Sequence, residues 1–276
     1  MPPTHPDDTA DTAENGNAAH AAHTDNADNA DNTAKAFLAL HHGRAPADPL
    51  ILPGPWDAAS ARIFADVGFP GLATPSAGIA ASLGYEDGGG TPVDEMFAAI
   101  TRITRVVDIP VSADVEDGYG LAPAELVERL LEAGVVGCNL EDTDLATGQL
   151  KDARQHADWL AQVRQEAGDR LVINARVDTF LRGDTSAAAA IERARLYVAA
   201  GADVIYPLLA PVELVTELAQ GVGAPLNMAA MPGGPALAEI GELGAARITF
   251  GPGLFHEAME ALRGHAERLR SAQPSA

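Results

Sequence analysis

One cysteine, Cys138, is present in 276 residues, so no intrachain disulfide can form and the chain fits a reducing cytoplasm. Aromatic residues make up only 5%. Ala and Gly take their place, which suits close packing of helices on strands. Basic residues are scarce: 18 Lys and Arg face 39 Asp and Glu, for a formal charge of −21. That balance excludes the basic footprint of a nucleic-acid binder and disfavours anionic membrane surfaces. No apolar run is long enough to span a bilayer, and the N-terminus lacks the basic start and apolar core of a signal peptide.

What is present divides in two. Residues 1–33 carry acids, an imperfect "DNA" repeat and almost no large apolar residue; the first basic residue is Lys35. Such a segment cannot bury enough surface to offset its chain entropy and is expected to be a disordered tail. Its histidines, His5, His20 and His23, read as solvated rather than as a metal tract. Residues 34–276 form the expected single catalytic domain. Short β-rich runs begin near Leu50, Gly71, Ile109, Val135, Arg170, Ala202, Pro225 and Arg247, alternating with Ala/Leu/Glu-rich helical runs, several closed by Gly. Eight strand–helix units at this length predict an α/β fold, a closed (β/α)8 TIM-type barrel. A doubly wound sheet ranks second, because no G-x-G-x-x-G follows the first strand.

In a barrel the active site lies at the C-terminal ends of the strands. Side chains on a strand alternate faces with period two. The third strand then places Asp114 and Glu116 on one face. The fourth places Asn139 and Glu141 there, and the fifth Asn174, Arg176 and Asp178. Three neighbouring strands thus end in polar pairs inside apolar runs. The acids Asp114, Glu116 and Glu141 are hard oxygen donors suited to Mg2+ or Mn2+. There is no H-x-H, H-E-x-x-H or Cys cluster to hold zinc. Arg176 is placed to clamp a substrate carboxylate bidentately. A metal with Arg around a small dianion points to 2-oxo acid or enolate chemistry. Asp117 reads as a turn residue, and Asp142, of opposite parity to Glu141, as a supporting or ion-pairing acid. Cys138 reads as a core thiol, and His156 and His256 as a surface and a packing histidine. Gly-rich loops follow the last two strands, where barrels often bind phosphate, so a phosphosugar enzyme is a rival reading.

At these residues the sequence resembles the isocitrate lyase/phosphoenolpyruvate mutase superfamily, over nearly everything after the tail. "TPSAGIAASLGYED", "SADVEDGYG", "VGCNLED" and "VINARVDTF" resemble four of its motifs. The resemblance implies that Asp114 is the direct Mg2+ ligand, with Asp87, Glu116 and Glu141 holding the ion largely through waters. It implies that Ser76, Ala77 and Gly78 offer donors to the substrate carboxylate, beside Arg176 and Asn174. Arg176, Glu141 and Asp87 are then the residues assigned to catalysis. It also implies a homo-oligomer, dimer or tetramer, in which a C-terminal helix, here Phe255 to Arg270, packs on a neighbouring subunit. Two departures stand out. Glu116 replaces the usual Asp. The segment after the fourth strand, "EDTDLATGQLKD", lacks the Cys that serves the family's lyases, and Lys151 is its only amine.

The sequence therefore predicts a Mg2+-dependent enzyme that breaks a C–C bond in a small 2-oxo or 2-hydroxy di-acid through an enolate. P–C bond chemistry on a phosphonate and a non-catalytic ligand-binding barrel are the alternatives. Removing the tail is expected to leave melting temperature and oligomeric state nearly unchanged. A large drop in melting temperature would show that the tail packs on the domain.

Overall fold

A computed structural model describes residues 33–272. The tail proper, residues 1–32, lies outside the described residues. Thr33, placed above as the end of the tail, instead opens a helical segment at 33–39, in which Ala34 and Phe37 are buried.

Each expected strand is found, shorter than its apolar run. They are β1 (Leu50–Ile51), β2 (Leu72–Thr74), β3 (Val111–Asp114), β4 (Gly137–Glu141), β5 (Val172–Val177), β6 (Val204–Pro207), β7 (Asn227–Ala229) and β8 (Arg247–Thr249). All their pairings are parallel. They form a five-stranded sheet, β2-β3-β4-β5-β6, and a three-stranded sheet, β1-β8-β7. A parallel bridge between Ile205 and Leu226 joins β6 to β7. At the other seam the Ala73 amide donates to Pro53 O at 3.0 Å.

Helices follow the strands: α1 (Ala58–Val67), α2 (Ser76–Leu83), α3 (Val93–Thr104), α4 (Pro123–Glu132), α5 (Ala153–Ala167), α6 (Ala187–Ala199), α7 (Val215–Val222), α8 (Leu237–Glu242) and α9 (Gly253–Ser271). Their inward stripes have helical spacing. In α4, Leu126, Val127 and Leu130 are buried while the intervening charges face out. In α5 the stripe is His156, Leu160 and Val163. His156 is therefore not the surface residue expected above. It is 2% exposed, stacked on Trp159 and edge-on to Tyr197. Between β4 and α5 the chain makes a small antiparallel hairpin, Thr143–Asp144 against Gln149–Leu150.

The N-terminal ends of the strands are closed by Phe37. Its ring fills space over Gly137 and Gly71, where an added Cβ would stand 3.1 Å and 3.3 Å from it. Leu50, Leu52, Ala73, Val172 and Val204 complete this apolar cluster. One end of the sheet is thus plugged by an apolar cluster, beside which the buried His41 ring packs on Phe37. Phe37→Ala is expected to cost about 3–5 kcal/mol of unfolding free energy, the range for emptying a buried aromatic site. Urea unfolding would measure it, and a loss below about 1 kcal/mol would show that the ring is not a structural plug.

Candidate active site

Strand register decides which polar side chains meet. Asp114 pairs with Asn139 and Asn139 with Asn174, forming one row across β3, β4 and β5. One row further on, Glu141 pairs with Arg176 and Arg176 with Tyr206. The expected parity of β4 and β5 is what the contacts display. Asn174 Nδ2 donates to Asn139 Oδ1 at 2.7 Å, and Arg176 Nη2 is in direct contact with Glu141 Oε2.

Arg176 stands among the acids. Asp178 takes its Nε and Nη2 at 2.8 and 2.9 Å, and Nη1 points toward Asp114 Oδ2 at 3.9 Å. Asp178 lies just past β5 and is fully buried. Its carboxylate also accepts the Thr143 hydroxyl at 2.6 Å, and its backbone N–H donates to Asp142 Oδ1 at 2.8 Å. Asp142 is held in turn by the Tyr197 hydroxyl at 2.7 Å and by Arg193 at 3.1 Å. Its opposite parity thus makes it an outward support of the site.

Glu116 departs from expectation. β3 ends at Asp114, so Glu116 is not the next inward residue of a strand. It sits in a turn with φ 52°, a left-handed conformation that costs energy in a non-glycine residue. The turn still delivers it to the acids. Glu116 is 2% exposed, its N–H donates to Asp114 Oδ1 at 3.1 Å, and its Oε2 is buried without a hydrogen-bond partner. Asp87 lies on an exposed turn after α2, and its charge acts on Glu116, Asp114 and Tyr119. Ser76, Ala77 and Gly78 form the first turn of α2, with Ser76 and Gly78 buried. A Cβ on Gly78 would stand 2.8 Å from the Pro75 ring.

The loop residues settle in place. Asp117 is a turn residue, as expected: its Oδ1 accepts the Tyr119 amide at 3.0 Å. Its other oxygen pairs with Lys151 Nζ at 3.1 Å, and that ammonium also lies over the Trp159 ring. Cys138 is buried, and burial pushes its thiol up to about 12, as befits a core residue. His256, expected above to pack, is instead exposed on α9. Sequence reasoning missed the part played by Asp178 in gripping Arg176, and it missed Arg247 and Asn227 altogether. The signal for Arg247 was present: a charge sharing inward parity with Thr249 in an otherwise apolar strand.

Residues 37–270 match the family model described as phosphoenolpyruvate phosphomutase. The chain belongs to the isocitrate lyase/phosphoenolpyruvate mutase superfamily. Within this superfamily it is similar to a solved structure from Burkholderia cenocepacia J2315 provisionally named a phosphonomutase. That match has 37% identity and a TM-score of 0.79, covering 85% of this chain and 99% of the other. It is similar to the 2-methylisocitrate lyase of Aeropyrum pernix, with 35% identity across 65% of this chain and 60% of that one. A solved oxaloacetate acetylhydrolase in complex with the product oxalate matches with 25% identity and a TM-score of 0.78, covering 87% of each chain. Superfamily members are named as lyases, mutases and hydrolases, and this chain is an enzyme of that superfamily. Among the described residues no helix is long and apolar enough to cross a membrane.

Desolvation comes first in the electrostatics of the acids. Burial raises Asp114 and Glu141, and Arg176 opposes it in both. Glu116 has no such cation: burial, then Asp87 and Asp114, raise it to about 7 from 4.5. The sign of the linkage follows. The proton on folded Glu116 stabilises the fold fully below 4.5, and that contribution is lost as pH rises through about 7. In EDTA, Glu116→Gln is expected to be the more stable protein by on the order of 3 kcal/mol at pH 8, with the difference vanishing near pH 4. Urea midpoints across pH would measure it, and a pH-independent difference would take Glu116 out of the acid cluster.

Proposed function

We propose that this protein is a Mg2+- or Mn2+-dependent enzyme acting on a small 2-oxo or 2-hydroxy di-acid. In this reading it breaks a C–C bond and releases a pyruvate- or oxalate-like enolate. The observation that carries the reading is the gathering of Asp114 and Glu141 around Arg176, with Glu116 bonded to Asp114 and a buried Glu116 oxygen left without a partner. Among the described residues no three acids, histidines or cysteines converge tightly enough to enclose an ion by themselves. The donor set nevertheless fits a hard cation whose remaining ligands are waters and substrate oxygens. Asp114 would hold it directly, and Asp87, Glu116 and Glu141 would support it. When bound, such an ion supplies Lewis acidity to the substrate carboxylate and its neighbouring oxo oxygen.

The chain's own residues do the rest. Asp178 fixes the Nε edge of Arg176, so Nη1 is the donor left to face a substrate carboxylate. Ser76, Ala77 and Gly78 present the amides of a helix N-terminus to the same anion. Asn174, pinned to Asn139, lines the floor. The hairpin after β4 brings no cysteine, and Lys151 is engaged with Asp117, so no loop acid stands ready to protonate a carbanion. Decarboxylation of oxaloacetate asks least of such a site, because the enolate can take its proton from solvent. P–C bond chemistry is the second reading, favoured by the likeness to the provisionally named phosphonomutase.

The assembly belongs to the same proposal. The two parallel sheets are read as one closed (β/α)8 barrel, with residues 1–32 as a dispensable tail. α9 has no buried residue and exposes Leu262 and Leu269, which supports docking on another subunit of a homo-oligomer. A reduced, buried Cys138 fits a cytoplasmic enzyme.

Calorimetry with Mg2+ and oxalate is expected to show binding by the wild type and weakening beyond about tenfold in Asp114→Asn. Arg176→Lys is expected to lose oxalate while keeping Mg2+, because an ammonium cannot both grip Asp178 bidentately and reach a substrate carboxylate. Mg2+-dependent pyruvate release from oxaloacetate is expected, with no glyoxylate from isocitrate above background. Equal Mg2+ binding by Asp114→Asn would sink the site, and fast isocitrate cleavage dependent on Cys138 would overturn the loop argument.

A further inference from the structure

Beneath the acid cluster lies a second guanidinium. Arg247, on β8, is 0% exposed and ranks among the largest fully buried side chains. Its strand neighbours in register are Leu50 and Asn227. Its one hydrogen bond, from Nη2 to Asn139 Oδ1, is long at 3.5 Å, and that oxygen already accepts from Asn174. Among the described residues Nε and Nη1 have no partner, nor do Asn174 Oδ1 and Asn227 Nδ2. Among the described residues it forms no ion pair. Below it is the apolar Phe37 end, with His41, whose Nδ1 is bonded to Phe37 O and whose pKa is lowered by burial and by Arg247. The acid acting on Arg247 is Asp114, alongside Tyr206 and Cys138. Burial brings its pKa down only to about 10, so it keeps its charge at neutral pH.

An unpaired buried cation is costly, and an apolar side chain of similar volume usually serves stability as well or better. Packing therefore gives no reason for a guanidinium here, whereas charge does. We infer that Arg247 is the site's second cation, a specificity-determining residue whose field favours small dicarboxylate or 2-oxo acid dianions and opposes the divalent cation. The inference rests on the metal-assisted reading of the site. Arg247 touches neither ligand; Asn139 and the row of Asp114 lie between. In a low-dielectric interior a unit charge about 10 Å away changes the affinity for a charged ligand by on the order of tenfold. The two ligands have opposite charge, so removing Arg247 should move their affinities in opposite directions. A residue that only packed would weaken both together.

The test uses full-length protein and calorimetry, with Mg2+ alone and then with oxalate at saturating Mg2+. Arg247→Met is expected to bind Mg2+ about tenfold more tightly and oxalate about tenfold more weakly than the wild type. Arg247→Gln, which keeps a donor for Asn139 without the charge, carries the same expectation and serves if the Met variant does not fold. Affinities that are unchanged, or that move in the same direction, would overturn the inference while leaving the metal site standing. Failure of the wild type to bind Mg2+ and oxalate at all would overturn the metal reading, and this inference with it.

Discussion

A single buried guanidinium organises the site. Arg176 meets Asp178, Glu141 and, at longer range, Asp114, in a pocket where its side chain is only 11% exposed. Without it, Asp114 and Glu141 would lose the cation that offsets their burial. The pairing depends on register: Glu141 lies opposite Arg176 only because β4 and β5 are aligned as they are. A one-residue slip of β5 would turn Arg176 to the helix-covered face and leave Glu141 without it.

The grip on Arg176 comes from outside the sheet. Asp178 is steadied by Thr143 from the hairpin and by Asp142, which Tyr197 and Arg193 hold from α6. Arg193 also donates to the backbone carbonyl of Lys151 at 3.0 Å. The short loop after β4 is thus built into the wall of the site, tied at Thr143, Lys151 and Asp117. Its amine serves an ion pair and a ring contact rather than the reacting atoms. The segment carries no cysteine, so under the proposed function the chemistry rests on the strand-borne acids and Arg176.

Much of the site was legible because strands leave a period-two record. Parity sets Asn139 and Glu141 on one face of β4 and Asn174 and Arg176 on one face of β5, and the contacts Asn139–Asn174 and Glu141–Arg176 bear this out. Asp142, with the wrong parity, was correctly set apart. The same rule failed at Glu116, because it assumes a continuing strand, and β3 stops at Asp114. Glu116 reaches the acids through a left-handed turn that alternation cannot describe. His156 was misplaced for a related reason: a helix start beside Lys151 looks exposed until the stripe through Leu160 and Val163 shows which side faces α6.

By itself the sequence determined the α/β alternation, the family, and which carboxylates and which arginine end the central strands, because periodicity and local motifs are written along the chain. Tertiary structure decided what each charge is worth. Burial, which depends on every element packed around a group, raised Glu116 toward neutrality, closed Cys138 away from reaction and left Arg247 charged without a counter-ion. Desolvation is a property of a place in the fold, and no stretch of residues carries it alone.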